Sequence, residues 1–155
     1  MPNGSKRMDI EIKKLDENDR VGLREILRNS FDTLSTLDTL ELDCYIDGQQ
    51  RPCQWFVAQS GQEHVIGCIN ASTRSNEGYI NSLSVRGEFR GRGIGKMLVR
   101  KACEFLKSLD CKSVFLYVRP SNNTAKNFYE KLGFDNCGLT KSHSLEDVLL
   151  LRKKI

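Results

Sequence analysis

The sequence has 155 residues, 39% of them hydrophobic and only 3 of them proline, which favours one domain spanning residues 1–155 with a core of ordinary size. Its net charge of +4, from 24 basic and 20 acidic side chains, neither requires nor excludes a nucleic-acid partner. The 6 cysteines form no C-x-x-C pair, which excludes the usual spacing of zinc and dithiol redox sites. No signal peptide or membrane span is visible, so we expect a cytoplasmic protein, or one that is also nuclear, with reduced thiols and a flexible segment at residues 1–8.

The first third of the chain predicts a strand followed by two helices. Residues 10–15 alternate between apolar and polar side chains, as in a strand with one buried face. Either Asn18 or Asp19 is suited to cap the helix that follows. The apolar face of this helix consists of Leu23, Ile26 and Leu27. Residues 36–46 predict a second helix.

Three strands, a long helix and a fourth strand are predicted next. The three strands are residues 54–59, 65–73 and 78–85, and the turn-rich segments between them predict an antiparallel meander. From Ile94, apolar side chains recur with helical spacing at Met97, Leu98, Ala102, Phe105, Leu106 and Leu109. Residues 113–118 are almost continuously apolar, as in a strand buried on both faces. A strand, a helix and a strand in this order predict a right-handed parallel crossover, so the sheet should be mixed.

The carboxyl-terminal segment predicts a short helix and two closing strands. The helix begins near Asn122 and ends at Gly133. Its apolar side consists of Ala125, Phe128, Tyr129 and Leu132. The strands are expected near residues 134–140 and 145–152. The fold class is therefore α/β (α+β), without a linker, an internal repeat or a low-complexity tract.

Residues 89–98, FRGRGIGKML, combine three glycines with arginines at the predicted start of the long helix. Glycines let a backbone approach a ligand closely, and the first amides of a helix are unpaired donors at its positive dipole end. The segment therefore favours an anion such as phosphate. It is not a P-loop, because Met97 stands where that motif has a hydroxyl, and Lys96 replaces the third glycine of a Rossmann fingerprint. Alone, it could also be a tight turn with solvated arginines.

Two motifs within residues 79–134 resemble those of the GNAT superfamily of acetyl-CoA-dependent N-acetyltransferases. The first, [RQ]-x-x-G-x-[GA] after a strand, is matched by Arg90, Gly93 and Gly95. The second, N-x-x-A-x-x-x-Y-x-x-x-G-F, is matched by Asn122, Ala125, Tyr129, Gly133 and Phe134. The order of the predicted elements fits this family over nearly the whole chain. The resemblance implies the GNAT fold, in which about four helices flank a central mixed sheet of six or seven strands with a β-bulge in the cofactor strand.

By this resemblance the cosubstrate is acetyl-CoA, no metal takes part, and acetyl passes directly to a primary amine in a ternary complex. The main chain of Leu83, Ser84 and Val85 would bind the pantetheine arm and stabilise the developing oxyanion. The pyrophosphate would be held by Arg90, Gly91, Arg92, Gly93, Ile94, Gly95 and Lys96, with further charge from Arg86. Asn122 would contact the cofactor arm and cap its helix. Tyr129 would protonate the departing thiolate, although its spacing alone also fits a buried aromatic.

The general base is the position at which the sequence departs from the family pattern. Many family members carry a glutamate on the strand before the glycine loop, where this chain has Tyr79. Glu77 lies two residues earlier and either reaches the site or ends a hairpin. A neutral tyrosine is a poor base but can orient a water chain. Because the pKa of an α-amino group is about 2.5 units below that of a lysine side chain, this departure favours peptide amino termini as acceptors.

Within the superfamily, the sequence is most similar to protein N-terminal acetyltransferases of the ribosomal-protein-alanine type. Their frequent L-H/E-V-R-x-S-N-x-x-A pattern is interrupted here by Tyr117. His64 and His143 fall in predicted turns and are more typical of exposed histidines than of bases. Residues 30–50 contain no lysine or arginine, and their carboxylates are Asp32, Asp38, Glu41, Asp43 and Asp47. This segment could attract a polyamine, although a solvated helix face is the simpler interpretation.

The sequence therefore predicts an N-acetyltransferase whose partners are acetyl-CoA and an amine, either a peptide amino terminus or a small amine such as a polyamine. It predicts no specific nucleic acid, no membrane, and a monomer or homodimer. A non-catalytic acyl-CoA-binding module is the second class of function, because the usual glutamate is missing. A nucleic-acid-binding protein is the third class, but the basic run at residues 86–101 lacks interleaved exposed aromatics.

Overall fold

The computed structural model describes residues 9–31, 34–48, 52–61, 64–142 and 144–155. Within these ranges the chain forms seven strands and four α-helices, in the predicted order. The strands are β1 Ile10–Lys14, β2 Cys53–Ser60, β3 His64–Arg74, β4 Glu77–Val85, β5 Ser113–Val118, β6 Asp135–Lys141 and β7 Asp147–Lys154. The helices are α1 Arg20–Ser30, α2 Thr39–Asp47, α3 Ile94–Ser108 and α4 Asn123–Lys131. Residues 1–8, for which the sequence predicts flexibility, lie outside the described residues.

The strands form one sheet in the order β1-β2-β3-β4-β5-β7-β6. Neighbouring strands are antiparallel except β4 and β5, which are parallel and are connected through α3. This arrangement confirms the predicted α/β class, the three-stranded meander and the mixed sheet. Because β7 inserts between β5 and β6, the end of the chain extends the sheet beyond the parallel pair.

The helices bury apolar side chains on both faces of the sheet. On one face, Leu23, Ile26, Leu27, Leu42 and Ile46 of α1 and α2 pack with Trp55, Val57, Val65 and Cys68. On the other face, Ile94, Leu98, Ala102, Leu106 and Tyr129 of α3 and α4 pack with Phe56, Ile66, Ile69, Ile80 and Leu116. Successive strand residues point to opposite faces, which is why Phe56 and Val57 belong to different clusters. Leu109, predicted on the apolar face of the long helix, follows α3 and is 36% exposed.

The start of α1 differs in part from the sequence prediction. Asp19 occupies the N-cap position as predicted, but its side chain makes no capping bond to α1. A short 3-10 turn, Glu17–Asp19, precedes the helix, and Asp16 supplies the oxygen that caps this turn. The Asp16 carboxylate accepts a hydrogen bond from the Asn18 amide at 2.8 Å, and the Asp19 carboxylate accepts one from the Asp16 amide at 3.0 Å. This capping box satisfies donors that the helix leaves unpaired. Asp16, Asn18 and Asp19 are all residue types that cap helices, and they lie within four residues of one another. The sequence alone therefore does not show which of them provides the capping oxygen.

No helix within the described ranges has both the length and the apolar character needed to cross a membrane. All 6 cysteines lie in described positions, and each is a free thiol.

Gly78 offers a test of how α3 packs on the sheet. It lies buried in β4, and an added β-carbon would sit 2.8 Å from Cδ1 and 3.3 Å from Cβ of Leu106, a fully buried side chain of α3. We expect Gly78→Ala to lower the free energy of unfolding by about 1–3 kcal/mol, because the fully buried Leu106 side chain must shift within a close-packed core to admit the methyl group. Urea titration followed by the fluorescence of Trp55, the single tryptophan, measures this change.

Gly87→Ala is the matched control, since an added β-carbon there meets no atom within 4 Å. We expect this variant to change the free energy of unfolding by less than about 0.5 kcal/mol. Equal stability of the two variants would contradict close packing between β4 and α3.

Candidate active site

The parallel strands β4 and β5 are paired at only two positions, Gly78 with Val114 and Tyr79 with Phe115. Beyond these positions the strands separate. The main chain of residues 80–85 therefore borders an opening in the sheet on the side of β5. Backbone amides in such an opening are available to a ligand, because no strand uses them on that side.

A bulge distorts the other edge of β4 at the same level. Asn81 pairs with Asn70 and Ser84 pairs with Cys68, so two residues of β4, Ser82 and Leu83, stand opposite a single residue of β3. Ser82 has a φ of +57°, in the left-handed region. The bulge increases the local bend of the strand. This confirms the bulged strand that the sequence resemblance implies.

Two hydroxyl contacts attach the bulged segment to the helices above it. The hydroxyl oxygens of Tyr45 in α2 and Ser82 are 2.7 Å apart, and the hydroxyl groups of Ser30 in α1 and Ser84 are also hydrogen-bonded. The ends of α1 and α2 are thereby held beside the opening between β4 and β5.

The glycine-rich segment forms a turn that leads directly into α3. Gly91 and Gly93 have φ values of +77° and +81°, which glycine adopts far more readily than other residues. Gly93 occupies the N-cap position and has no side chain with which to cap the helix, so the first amides of α3 are left for a ligand. At Gly95, an added β-carbon would lie 3.2 Å from the Phe128 ring, so glycine lets α4 approach α3 closely.

These elements surround a cleft of about 680 Å³, which we call the glycine-loop cleft. The predicted cofactor-binding residues other than Arg86 and Arg92 line it: Leu83, Ser84, Val85, Arg90, Gly91, Gly93, Ile94, Gly95, Lys96, Asn122 and Tyr129. Its other lining residues are Ser30, Phe31, Phe89, Thr124, Ala125 and Phe128. The structure thus brings the two sequence motifs together in one concave site of the size usual for small ligands.

The three arginines near the loop have different surroundings. The Nε of Arg90 donates a hydrogen bond to a main-chain carbonyl of β4 at 3.1 Å and holds the strand end beside the loop. The guanidinium of Arg92 lies over the Phe89 ring, 5.5 Å from its centroid. Arg86 points to α1 instead, where its Nη1 is 3.2 Å from a carboxylate oxygen of Glu25. Arg86 and Arg92 therefore contact local partners and do not line the cleft, whereas Arg90 does.

Tyr129 reaches the cleft from the interior of α4. Asn122 caps this helix as predicted, because its side-chain oxygen accepts a hydrogen bond from the Ala125 amide at 3.0 Å. The Tyr129 ring packs edge to face on Phe128 and Phe134, with centroid distances of 5.0 and 5.4 Å. Burial raises the pKa of Tyr129 well above its ordinary value. Among the described residues its hydroxyl has no hydrogen-bond partner. A rigid, protonated phenol is therefore available at the cleft wall.

A second cleft, of about 570 Å³, opens between β4, β5 and the ends of α1 and α2, and we call it the β5 cleft. It shares Ser30, Phe31, Leu83, Asn122, Ala125 and Tyr129 with the glycine-loop cleft. Its remaining lining residues are Tyr45, Ile80, Asn81, Ser82, Leu116, Tyr117, Val118 and Arg119. The two clefts therefore adjoin, and Tyr129 belongs to the lining of both.

The two candidates for a base, Tyr79 and Glu77, line neither cleft. The Tyr79 hydroxyl donates a hydrogen bond to the Glu77 carboxylate at 3.3 Å, and its ring packs on Phe115 with centroids 5.8 Å apart. Burial and then the Glu77 charge raise the pKa of Tyr79. The structure therefore does not bring this pair together with Tyr129, because the clefts begin at Ile80, after the paired part of β4.

No described carboxylate or histidine lines either cleft. His64 is exposed, as predicted, and borders a separate depression beside Glu25 and Arg86. His143 and Asp32 lie outside the described residues. Within the described ranges there is also no group of three or more side chains positioned to hold a metal ion.

The acidic segment before β2 is engaged in helix contacts. Its described carboxylates are Asp38, Glu41, Asp43 and Asp47. The first two form a reciprocal capping box at the start of α2, with both hydrogen bonds at 2.9 Å. Asp43 lies 3.0 Å from Arg24, whose hydrogen bond lowers the pKa of that carboxyl, and Asp47 lies 2.6 Å from Arg20. Two of these four carboxylates therefore cap α2, and the other two link α2 to α1.

Several residues of the β5 cleft are not predicted by the sequence. Arg119 had a signal, because it directly follows a strand at the carboxyl edge of the parallel pair, where α/β sheets commonly bind ligands. Asn81 is one of several polar residues in β4, which is a weaker signal. Phe31 and Tyr45 had none, since they reach the cleft only through the packing of α1 and α2.

Three relatives illustrate the sequence similarity of the chain. A putative ribosomal-protein-alanine N-acetyltransferase of Bacillus subtilis is 27% identical over 145 residues, covering 92% of each chain. An uncharacterized N-acetyltransferase of Methanocaldococcus jannaschii is 31% identical over 146 residues, covering 92% of this chain and 90% of that protein. The N-acetylaspartate synthetase of Danio rerio is 28% identical over 124 residues, or 79% of this chain, which spans only 43% of that longer protein.

Solved structures share the fold. The ribosomal-protein-alanine N-acetyltransferase of Escherichia coli has a TM-score of 0.75 at 18% identity, with 94% of each chain covered. A spermidine N-acetyltransferase chimera from Vibrio cholerae has a TM-score of 0.77 at 17% identity, also with 94% of each covered. The PaiA N-acetyltransferase of Thermoplasma acidophilum, in complex with coenzyme A, has a TM-score of 0.72 at 22% identity, covering 96% of this chain and all of that one. At these identities the likeness concerns the fold alone.

Residues 21–134 match the model of the family described as the acetyltransferase (GNAT) family. The matched range runs from α1 to Phe134 and contains every lining residue of both clefts. It covers well over half of the chain. Together with the sheet topology and with relatives named N-acetyltransferases that align over about nine tenths of the chain, this match identifies the chain as a member of the GNAT family of N-acetyltransferases.

Proposed function

We propose that the protein transfers the acetyl group of acetyl-CoA to the α-amino group of a peptide or protein, by direct attack in a ternary complex. The position of Tyr129 at the junction of the two clefts carries this proposal. The glycine-loop cleft takes the thioester and the β5 cleft takes the amine. Nitrogen, carbonyl carbon and sulfur then meet beside one buried phenol.

The glycine-loop cleft suits coenzyme A, because it offers hydrogen-bond donors for both the pyrophosphate and the pantetheine arm. The turn at Gly91 and Gly93 presents main-chain amides at the positive end of the α3 dipole, which favours the pyrophosphate, and Arg90 and Lys96 line the same cleft. The pantetheine arm pairs with residues 83–85, where β4 has no partner strand on the side of β5. Amides of this segment also stabilise the oxyanion that forms when the thioester carbonyl is attacked.

The reaction needs one acid and an unprotonated amine. The amine nitrogen bonds to the carbonyl carbon, the carbon–sulfur bond breaks, and sulfur leaves with the electron pair. Sulfur then takes the proton of Tyr129, while the nitrogen loses one proton that restores the phenol directly or through water. The ordinary pKa of a tyrosine, near 10, is above that of a thiol, about 8.5 in model compounds, and burial raises the pKa of Tyr129 further. The transfer therefore depends on positioning rather than on acidity.

The absence of a base among the described lining residues favours an acceptor with a low pKa. An ammonium group cannot attack a carbonyl, so the amine must enter in its neutral form. An α-amino group has a pKa near 8 and a lysine side chain one near 10.4, which makes the neutral fraction of the α-amino group about 200-fold larger at neutral pH. This difference supports peptide amino termini over internal lysines and polyamines.

The alternatives have less support. A polyamine would need carboxylates in the acceptor cleft, whereas Asp43 and Asp47 are paired with arginines of α1. The spermidine N-acetyltransferase chimera shares the fold, and a fold does not select an acceptor. A non-catalytic acyl-CoA-binding module would not need a rigid phenol at the junction of two clefts.

Thiol release from acetyl-CoA, measured with a panel of amines, tests the proposal. We expect a peptide with a free amino terminus to exceed, by at least about 100-fold in kcat/KM, a terminally blocked peptide with one lysine. Spermidine should resemble the lysine peptide. Release that no amine accelerates, although CoA binds, would make the protein a binding module. If spermidine were the best acceptor, the polyamine alternative would replace the peptide.

Tyr129→Phe tests the acid. The variant keeps the ring that packs on Phe128 and Phe134 and removes only the hydroxyl. We expect kcat to fall by about 100-fold, because the thiolate leaves without a proton donor. The dissociation constant for CoA and the midpoint of urea unfolding serve as controls and should change little. Full activity in this variant would remove Tyr129 from the acid role.

The pH dependence tests whether the amine or an enzyme group loses the proton. We expect kcat/KM to rise about tenfold per pH unit below the pKa of the acceptor and to level off above it, since only the neutral amine reacts. Two peptides with different α-amino pKa values should therefore give different inflections when thiol release is measured between about pH 6 and pH 9.5. An inflection common to both peptides that shifts in Glu77→Gln would instead assign the proton to that carboxylate.

A further inference from the structure

We infer that the acceptor carries a carboxylate next to the amine that is acetylated, and that Arg119 binds this carboxylate. The inference rests on the proposed function, because it concerns the acceptor of the same reaction. The carboxylate belongs either to an acidic side chain in the first two residues of a peptide or to a free amino acid. Both sources present the same chemistry to the cleft.

Arg119 is held at the β5 cleft by its main chain. It directly follows β5, and its carbonyl accepts a hydrogen bond from the Asn122 amide at 2.9 Å, just before α4 begins. Tyr129, which lies in α4, lines the β5 cleft as well. An amine bound beside Tyr129 therefore has its neighbouring groups in the space that Arg119 borders.

Among the described residues, Arg119 is the only one lining the β5 cleft that carries a full charge at neutral pH. It is exposed, and its side chain forms no salt bridge or hydrogen bond with the described part of the chain. By contrast, Arg20, Arg24 and Arg86 are paired with carboxylates at 2.6 to 3.2 Å. A guanidinium with five donors and no internal partner favours a ligand carboxylate, which it can bind through two hydrogen bonds.

The rest of the β5 cleft offers hydrogen bonds without charge. The Asn81 side-chain amide donates to Asn70 and to Ser72, both at 3.3 Å, which orients its oxygen and nitrogen. The Tyr45 hydroxyl lies 2.7 Å from that of Ser82, and Tyr117 presents a half-exposed ring. This lining suits a small polar group bearing one negative charge, and none of these side chains provides a counter-charge for a cation.

Acceptor pairs that differ only in charge test the inference. They are peptides beginning with aspartate or asparagine, peptides with glutamate or glutamine in second position, and free aspartate or its diamide, which has neither carboxylate. We expect the protein to prefer each carboxylate over its amide by about tenfold or more in kcat/KM, measured by thiol release. In Arg119→Gln this preference should disappear, because the loss with the carboxylate acceptors exceeds the loss with the amide acceptors by about tenfold or more.

Lys112→Gln is the matched control. Lys112 is exposed just before β5, at the end of the strand opposite Arg119, and lines neither cleft. This variant removes the same charge and should keep the full preference for carboxylates. Arg119→Lys keeps the charge without the planar fork and should retain part of the preference. The urea midpoint of each variant shows whether the fold is preserved.

The outcomes separate the inference from the proposed function. Equal use of carboxylate and amide acceptors by the native protein overturns the inference and leaves peptide acetylation standing. An equal loss with both kinds of acceptor in Arg119→Gln does the same. If no acceptor is acetylated although CoA binds, the proposed function fails and the inference fails with it. A preference for free aspartate over acidic peptides supports the inference but replaces the peptide acceptor of the proposed function with a free amino acid, and the reverse preference supports both.

Discussion

The separation of β4 from β5 after two paired positions is the constraint on which the whole site depends. Had the strands continued in register, the backbone groups of residues 80–85 would be used within the sheet and closed to a ligand. Because backbone donors and acceptors must be satisfied by some partner, a strand edge inside the sheet is sustained only by water or by a ligand that can pair with it. The bulge at Ser82 bends β4 at the same level and so helps to keep the opening wide.

The helices α3 and α4, which flank the opening, supply the anion-binding amides and the phenol of Tyr129. α3 begins at the opening with uncapped amides, because left-handed glycines precede it. Gly95 then lets Phe128 pack directly against α3, which brings α4 close enough for Tyr129 to line both clefts. A β-carbon at Gly95 would lie 3.2 Å from the Phe128 ring and disturb the contact that holds α4 against α3. The anion-binding turn and the proposed acid are thus coupled through one close helix contact.

Much of this architecture could be predicted from the sequence, because it depends on local periodicity and on two motifs. β5 matches the predicted residues 113–118, and α3 begins at the predicted Ile94. The failures have long-range causes. Arg86 resembles Arg90 in its local sequence, but Glu25 of α1 holds it on another side of the molecule. The alternation of β4 could not reveal where that strand parts from β5, so it could not exclude Tyr79 from the clefts.

The ion pairs that fasten α2 to α1 also set the charge of the proposed acceptor cleft. Since Asp43 and Asp47 face Arg24 and Arg20, the β5 cleft receives no described carboxylate that could act as a base, and Arg119 is left as its one described charge. Under the proposed function, the acceptor must therefore lose its proton without help. A carboxylate beside the amine raises the pKa of that amine in water, because it stabilises the ammonium form. Once the carboxylate is bound to Arg119, this stabilisation is cancelled and the guanidinium disfavours a second positive charge nearby. Recognition of the carboxylate would then lower the pKa of the amine within the complex and produce the neutral nucleophile that the cleft has no base to generate.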